Sequence, residues 1–409
     1  MSVAPESIAA PLASRTAEFI AREDAVGAHN YHPLDLVIEQ AEGVWVTDVE
    51  GRRYLDCLAA YSAVNLGHCH PRLVAALTRQ AMRVTLTSRA FRNTELAGFC
   101  ERLATFAGQP MVLPMNTGAE AVETAIKAAR RWGYRTKGIP HDRAEILVFD
   151  GNFHGRTTTL VGFSSEQSYR ADFGPFTPGF VRVPYGDLDA VHAALSPRTC
   201  AVLVEPIQCE AGVRIPPVGF LRGLAELCRV HDVLLVADEI QTGLGRTGRR
   251  FACDHEEVTP DLLVLGKALA GGMYPVSAVV GRRDVLGLFE PGSHGSTFGG
   301  NPLGCAVARE ALAVLEDERL IERAAVLGAW WLASLRTALR HPAIIEIRGR
   351  GLMLAIELGE PARRFSEALA ERGLLCKETH GTVIRLAPPL VVTREELAWA
   401  TERLIAVLG

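Results

Sequence analysis

Five short apolar runs constrain this chain more than any other feature: Ile146–Phe149, Ala201–Val204, Val233–Ala237, Leu262–Leu265 and Val276–Val280. Runs this short and this apolar suit strands buried on both faces. Helical patterns such as Val218–Val230 lie between several of them. Strands alternating with helices predict an α/β fold with a mostly parallel, doubly wound sheet.

Two of the runs end in reactive groups. Val233–Ala237 delivers Asp238-Glu239, and Leu262–Leu265 delivers Gly266-Lys267. In a parallel sheet the C-terminal strand edge is where ligands bind. One carboxylate and one amine at that edge suit a cofactor with a cationic ring nitrogen and an electrophilic carbonyl. Pyridoxal phosphate has both: its aldehyde condenses with a lysine amine, and an acid keeps its ring nitrogen protonated. The same two residues are equally a strand-end cap and a solvated loop lysine.

A second stretch carries a phosphate signal. Thr117 and Glu120 have capping-box spacing, and Ala121, Val122, Ala125, Ile126 and Ala129 form one apolar stripe behind them. A helix is predicted from Gly118, with its first N–H groups free to bind phosphate. An ordinary capped helix has the same pattern. The segment Gly243–Gly248 matches G-x-G-x-x-G, which raises a nicotinamide dehydrogenase as an alternative. Its glycines do not open a helix, and Asp238-Glu239-Ile240-Gln241 separates them from the strand, so it reads as a flexible loop.

At 409 residues the chain exceeds one compact core. Residues 1–60 read as an N-terminal arm and hairpin, 61–320 as a large domain, and 321–409 as a smaller α/β domain. Within these, Leu12–Glu23 predicts a helix and Trp45–Asp56 a hairpin with a Glu-Gly turn. Tyr61–Pro71 reads as a loop, followed by a helix from Arg72 that fades before Thr85. Leu303–Leu315 and Leu320–Leu339 predict helices, and Thr393 with Glu396 caps a last one. The net charge of -4 gives no electrostatic reason to expect nucleic acid or a membrane surface as partner. No uninterrupted apolar segment approaches the roughly 18 residues of a membrane span. Nine cysteines without a C-x-x-C pair predict free thiols in a reducing compartment. His68-Cys69-His70 has no second ligand cluster, so no metal is expected. Acids such as Glu6, Glu18 and Glu23 near the start argue against a transit peptide and favour the cytoplasm.

The capped turn at Thr117, the strand-end Asp238 and Lys267 together resemble the class III aminotransferases of the fold-type I pyridoxal-phosphate superfamily. The resemblance runs from about Asn30 to Pro389. Within the family, Asn30–Leu34, Tyr61–Pro71, Asp238–Gly243, His294–Cys305 and Ile384–Leu390 are similar to its ornithine-transaminating branch. That likeness implies L-ornithine and 2-oxoglutarate as substrates. It implies Lys267 as the cofactor's lysine and proton shuttle, freed as a neutral amine by a cationic neighbourhood. Asp238 would pair with the ring nitrogen, Gln241 with the ring hydroxyl, and Phe153 would stack on the ring. Gly118 and Ala119 would hold the phosphate, and Thr297 would reach it from a second subunit of a homodimer. Arg156 would hold the outer carboxylate of either substrate, and Arg385 the α-carboxylate of the keto acid. Glu210 would mask Arg385 while ornithine is bound, with Tyr31 on ornithine's α-amino group and Tyr61 shaping the pocket.

Two positions depart from the branch. His154 stands where the branch usually has Trp, a His being common in the acetylornithine relatives, and Cys209 stands where a Gly usually precedes the glutamate. A side chain at Cys209 would restrict the movement of Glu210. Other terminal-amine donors (N-acetylornithine, lysine, 4-aminobutyrate) remain the alternative within the family. Tyr31 and Tyr61 argue against N-acetylornithine and 4-aminobutyrate, and the intact Lys267 against a non-catalytic relative.

Overall fold

The computed structural model describes residues 14–409; Leu12, where the first helical pattern begins, and Glu6 lie outside them. The chain opens with helix Arg15–Val26, then strands β1 (Ile38–Glu42), β2 (Trp45–Asp48) and β3 (Arg53–Asp56). Next come β4 (Met111–Met115), β5 (Glu145–Phe149), β6 (Phe180–Val183), β7 (Thr199–Val204), β8 (Leu234–Asp238), β9 (Leu262–Leu265) and β10 (Ser277–Gly281). The C-terminal strands are β11 (Ile344–Arg350), β12 (Met353–Leu358), β13 (Leu374–Leu375), β14 (Lys377–Thr379) and β15 (Val383–Leu386).

The central sheet has the order β4-β10-β9-β8-β7-β5-β6. All five apolar runs are in it. Pairs from β6 to β9 are parallel, and β10 runs antiparallel to both β9 and β4. Alternation along each strand divides its side chains between two cores. Ile146, Val148, Leu234, Val236, Leu262 and Val264 pack with the helix Gly118–Arg135. Leu147, Phe149, Leu235, Ala237, Leu263 and Leu265 face a core shared with helices Leu96–Ala107, Phe220–Val230 and Pro302–Asp317. Burial on both faces explains why these runs carry no polar alternation.

The Trp45–Asp56 hairpin is present, with Trp45 opposite Leu55. Its sheet is completed by β13, which pairs in parallel with β3 across more than 300 residues of chain. A third sheet, β11-β12-β15-β14, holds β15 in its interior. The G-x-G-x-x-G segment is irregular, as its context predicts, but it is buried and fixed rather than flexible. Arg246 is fully buried and donates to the carbonyls of Leu352 and Pro388 and to Asn65 Oδ1. Gly248 has φ +83°, and a Cβ there would sit 2.7 Å from Ala325 Cα. The glycines therefore serve close backbone packing, and the dehydrogenase reading loses its motif.

Candidate functional site

Strands β8 and β9 are neighbours and parallel, so their C-terminal ends bring Asp238 and Lys267 to one edge. Both line a cavity of about 160 Å³, together with Gly118, Ala119, Phe153 and Gln241. Lys267 opens a short 3-10 turn with φ +45°, a left-handed conformation that a side chain adopts only at a cost. Burial pushes its amine pKa down, with Arg385 adding to the shift while Glu210, Cys209 and Asp238 oppose it. The expected cause was a cationic neighbourhood; desolvation comes first. Either way the neutral, nucleophilic amine becomes accessible at lower pH.

The helix N-terminus at the cavity is built as predicted. Thr117 Oγ1 accepts from Glu120 N at 3.3 Å, and Glu120 Oε2 accepts from Thr117 N at 3.0 Å. The loop from β5 then places Phe153 and His154 on the wall. Its turn depends on Gly155, whose φ is +130° and where a Cβ would lie 2.7 Å from Leu160 and 3.0 Å from Ala119. Glu205, which the sequence reading passed over, also lines the cavity and accepts the Phe153 N–H at 2.8 Å. Burial, and then the charge of Asp238, push its pKa well above the usual carboxylate range. The signal was available, since Glu205 directly follows an apolar run, as Asp238 does.

Toward the substrate side, Arg385 on β15 meets Glu210 with Nη1 3.1 Å from Oε1. Burial alone would raise the Glu210 pKa, but Arg385 and Lys267 outweigh it and hold the carboxyl below its ordinary value. Gln241 bridges the pair, donating to Glu210 Oε1 at 3.2 Å and accepting from Arg385 at 3.5 Å. Cys209 is buried, with Sγ 3.3 Å from Met353 Sδ, which ties down the backbone beside Glu210. Arg348 fixes the same segment at the carbonyls of Gly212 and Val213. The Arg385 guanidinium lies 4.7 Å from the centre of the Tyr61 ring. Tyr61 belongs to a turn in which Ala59, Ala60, Tyr61 and Ser62 all have left-handed φ. Asp56 Oδ1 caps that turn through the amides of Leu58 and Ala59. Tyr31 is 74% exposed and shares with Tyr61 a groove of about 390 Å³. Arg156 lies 4.0 Å over the Tyr169 ring. Thr297 is exposed and does not line this cavity.

The residues around the cavity fit pyridoxal phosphate. They offer an amine for its carbonyl, a carboxylate for its ring nitrogen, an aromatic wall and a helix N-terminus for its phosphate. The aminotransferase class-III family model matches residues 26–408. The chain belongs to the class-III aminotransferase family. A curated relative, the ornithine aminotransferase of Halalkalibacterium halodurans, is 58% identical over 97% of this chain and 99% of its own length. That of Brevibacillus brevis is 57% identical over the same shares. Among solved structures, the ornithine aminotransferase of Toxoplasma gondii superposes with a TM-score of 0.95 at 48% identity, covering 97% of this chain and 95% of that one. The acetylornithine aminotransferase of Elizabethkingia anophelis gives 0.89 at 47% identity, covering 97% of this chain and 99% of that one. Class-III membership carries the mixed α/β architecture of pyridoxal-phosphate-dependent transferases. Among the described residues, no helix is long and apolar enough to cross a membrane, and no cluster of metal-ligating side chains occurs.

Proposed function

We propose that this class-III aminotransferase transfers the δ-amino group of L-ornithine to 2-oxoglutarate. The products are L-glutamate and L-glutamate 5-semialdehyde, which cyclises to pyrroline-5-carboxylate. The observation that carries the reading is the Glu210–Arg385 pair at 3.1 Å, an arginine already occupied at the substrate side of the site. Support also comes from the relatives of nearly full length that bear the ornithine name.

Bound pyridoxal phosphate supplies an electrophilic carbonyl and a ring that draws electrons from the carbon bearing the amine. Lys267 is the residue that would hold it through the amine, and as a neutral amine it would be the group placed to carry a proton. Asp238 would pair with the ring nitrogen, Gln241 would hydrogen-bond the ring hydroxyl, and Phe153 would cover the ring, all three lining the same cavity. Gly118 and Ala119 would donate backbone N–H groups to the phosphate. Arg156 holds the α-carboxylate of ornithine and later the γ-carboxylate of 2-oxoglutarate. Arg385 takes the α-carboxylate of the keto acid once Glu210 swings away, a bidentate grip that only a guanidinium offers. Tyr31 hydrogen-bonds ornithine's α-amino group, and Tyr61 narrows the pocket.

The exposure of Thr297 supports a homodimer in which it completes the partner subunit's phosphate site. We place the enzyme in the cytoplasm, on its free cysteines. A fully active monomer in sedimentation would contradict the dimer. The reaction itself is tested by steady-state kinetics with ornithine, N-acetylornithine and 4-aminobutyrate as donors. Ornithine should give the highest kcat/KM; a preference for N-acetylornithine, whose enzymes share His154, would move the chain to that branch.

A further inference from the structure

Tyr31 stands on an irregular stretch, residues 27–36, between the first helix and β1. Among the described residues, the hydrogen bonds that tie this stretch to distant parts of the chain come from two side chains, Arg363 and Lys377. Arg363 opens the helix Arg363–Ala370, and Lys377 opens β14. Arg363 Nη1 donates to the His32 carbonyl at 3.3 Å, and Nη2 donates to the Pro33 carbonyl at 2.9 Å. Lys377 Nζ donates to the same His32 carbonyl at 3.2 Å. The proline ring fixes φ at Pro33 and keeps His32 out of the helical region. Two gripped carbonyls on so stiff a pair set the course of the backbone that carries Tyr31.

The Arg363 guanidinium is itself held. Nε donates to Glu367 Oε1 at 2.7 Å, and Nη1 also lies 3.2 Å from Glu378 Oε1. The side chain is only 23% exposed. A planar fork with its donors assigned in this way loses little freedom when it grips a carbonyl. Strand β14 also serves the rest of the mouth. It pairs with β15, with Lys377 opposite Arg385, and Thr379 Oγ1 donates to the Glu210 carbonyl. Three consecutive residues thus reach the arm, the Arg363 fork and the loop of Glu210. Lys377 lines the groove that Tyr31 and Tyr61 share.

We propose that Arg363, assisted by Lys377, is a positioning residue for Tyr31. By gripping the His32 and Pro33 carbonyls it holds the phenol at the mouth, and so sets recognition of ornithine without touching either substrate. The proposal rests on the reading of Tyr31 as the group that meets ornithine's α-amino group. Since 2-oxoglutarate has no amino group, the effect falls on one half of the reaction only.

The test measures kcat/KM for ornithine and, separately, for 2-oxoglutarate in wild type, Arg363→Ala, Tyr31→Phe and the double variant. Arg363→Ala should lose about tenfold for ornithine, mainly through KM, with 2-oxoglutarate within about twofold of wild type. In the Tyr31→Phe background the same substitution should cost little more, because the group it positions is gone. Equal loss with both substrates would mark a general structural role and overturn the proposal. No loss would overturn it too, as would single losses that simply multiply in the double variant. Should Arg363→Ala not fold, Lys377→Met takes its place in the same cycle. Its loss for ornithine should be about threefold and vanish in the Tyr31→Phe background; a loss that persists there overturns the proposal. If Tyr31→Phe alone leaves ornithine unaffected in an enzyme that prefers ornithine, the role of Tyr31 fails and the proposal with it, while the reaction stands. A wild type without preference for ornithine would instead overturn the proposed function, and the proposal with it.

Discussion

Lys267 and Asp238 stand at the ends of two adjacent strands buried on both faces, whereas Tyr31 and Tyr61 stand on an exposed arm and a left-handed turn. The floor of the pocket inherits its precision from the sheet. A strand locked by hydrogen bonds on both sides leaves its last side chain little freedom. The mouth is assembled from three separate parts of the chain: the N-terminal arm, the turn after β3 and strand β15. This division suits an enzyme that performs one chemistry on two substrates of different shape. The reacting groups share one sheet edge, while the groups that sort carboxylates and amines are brought together from separate parts of the chain.

The largest effect should come from the floor. Lys267→Ala removes nucleophile and proton shuttle together, and turnover should fall by about 10⁴-fold or more, with loose cofactor binding retained. Near-normal transamination by that variant would remove the floor from the account.

At the mouth, Glu210→Ala should unmask Arg385. The kcat/KM for glutamate as amino donor should rise while that for ornithine falls or holds. The ratio should shift by roughly tenfold or more, as expected for freeing a charge-assisted site. Equal loss with both donors would mean that Glu210–Arg385 is a static ion pair and the mouth does not switch.

The floor should also show its buried amine in stability. The Lys267 pKa is depressed by burial, so between that lowered value and the ordinary one near 10.5 the unfolded chain binds the extra proton. Stability of the cofactor-free protein therefore rises with pH through that window. Lys267→Met should be the more stable protein at neutral pH, with its advantage shrinking as pH rises. Denaturant titrations at several pH values check the sign; a constant difference would mean that the amine is not desolvated.

The smallest effect concerns the turn that carries Tyr61. Left-handed φ costs a non-glycine residue about 1–2 kcal/mol, and glycine loses about 0.5–1 kcal/mol in chain entropy. Ala60→Gly should therefore stabilise the protein by about 0.5–1 kcal/mol in chemical denaturation. Destabilisation would show that Ala60 is not strained.

Floor and mouth also differ in how far the sequence revealed them. The buried strands were legible because every residue between two cores must be apolar, and each of the five runs forms one. The two strands missed, β4 and β6, are the sheet's edges. Pro114 interrupts β4 and Arg182 interrupts β6, which edge strands tolerate because one side needs no ladder partner. The reversal of β10 left no mark in composition, since a strand buried on both faces looks alike in either direction. The helix at Gly118 was legible from its capping box. The pairing of β3 with β13 was not, because residues that far apart in sequence share no local pattern. At the site, Asp238 and Lys267 followed from apolar runs ending in charge. The roles of Glu210, Arg385, Tyr31 and Tyr61 came only from family resemblance. The contact between His154 and Asp238 needed the structure, since nothing local joins positions 84 residues apart.

The most direct test of the central claim is chemical capture of the cofactor. Protein loaded with pyridoxal phosphate is reduced with borohydride, digested and mapped by mass spectrometry. The account expects loss of the visible absorption and one modified peptide carrying the cofactor on Lys267. Label on another lysine, or absorption that borohydride leaves unchanged, would contradict it.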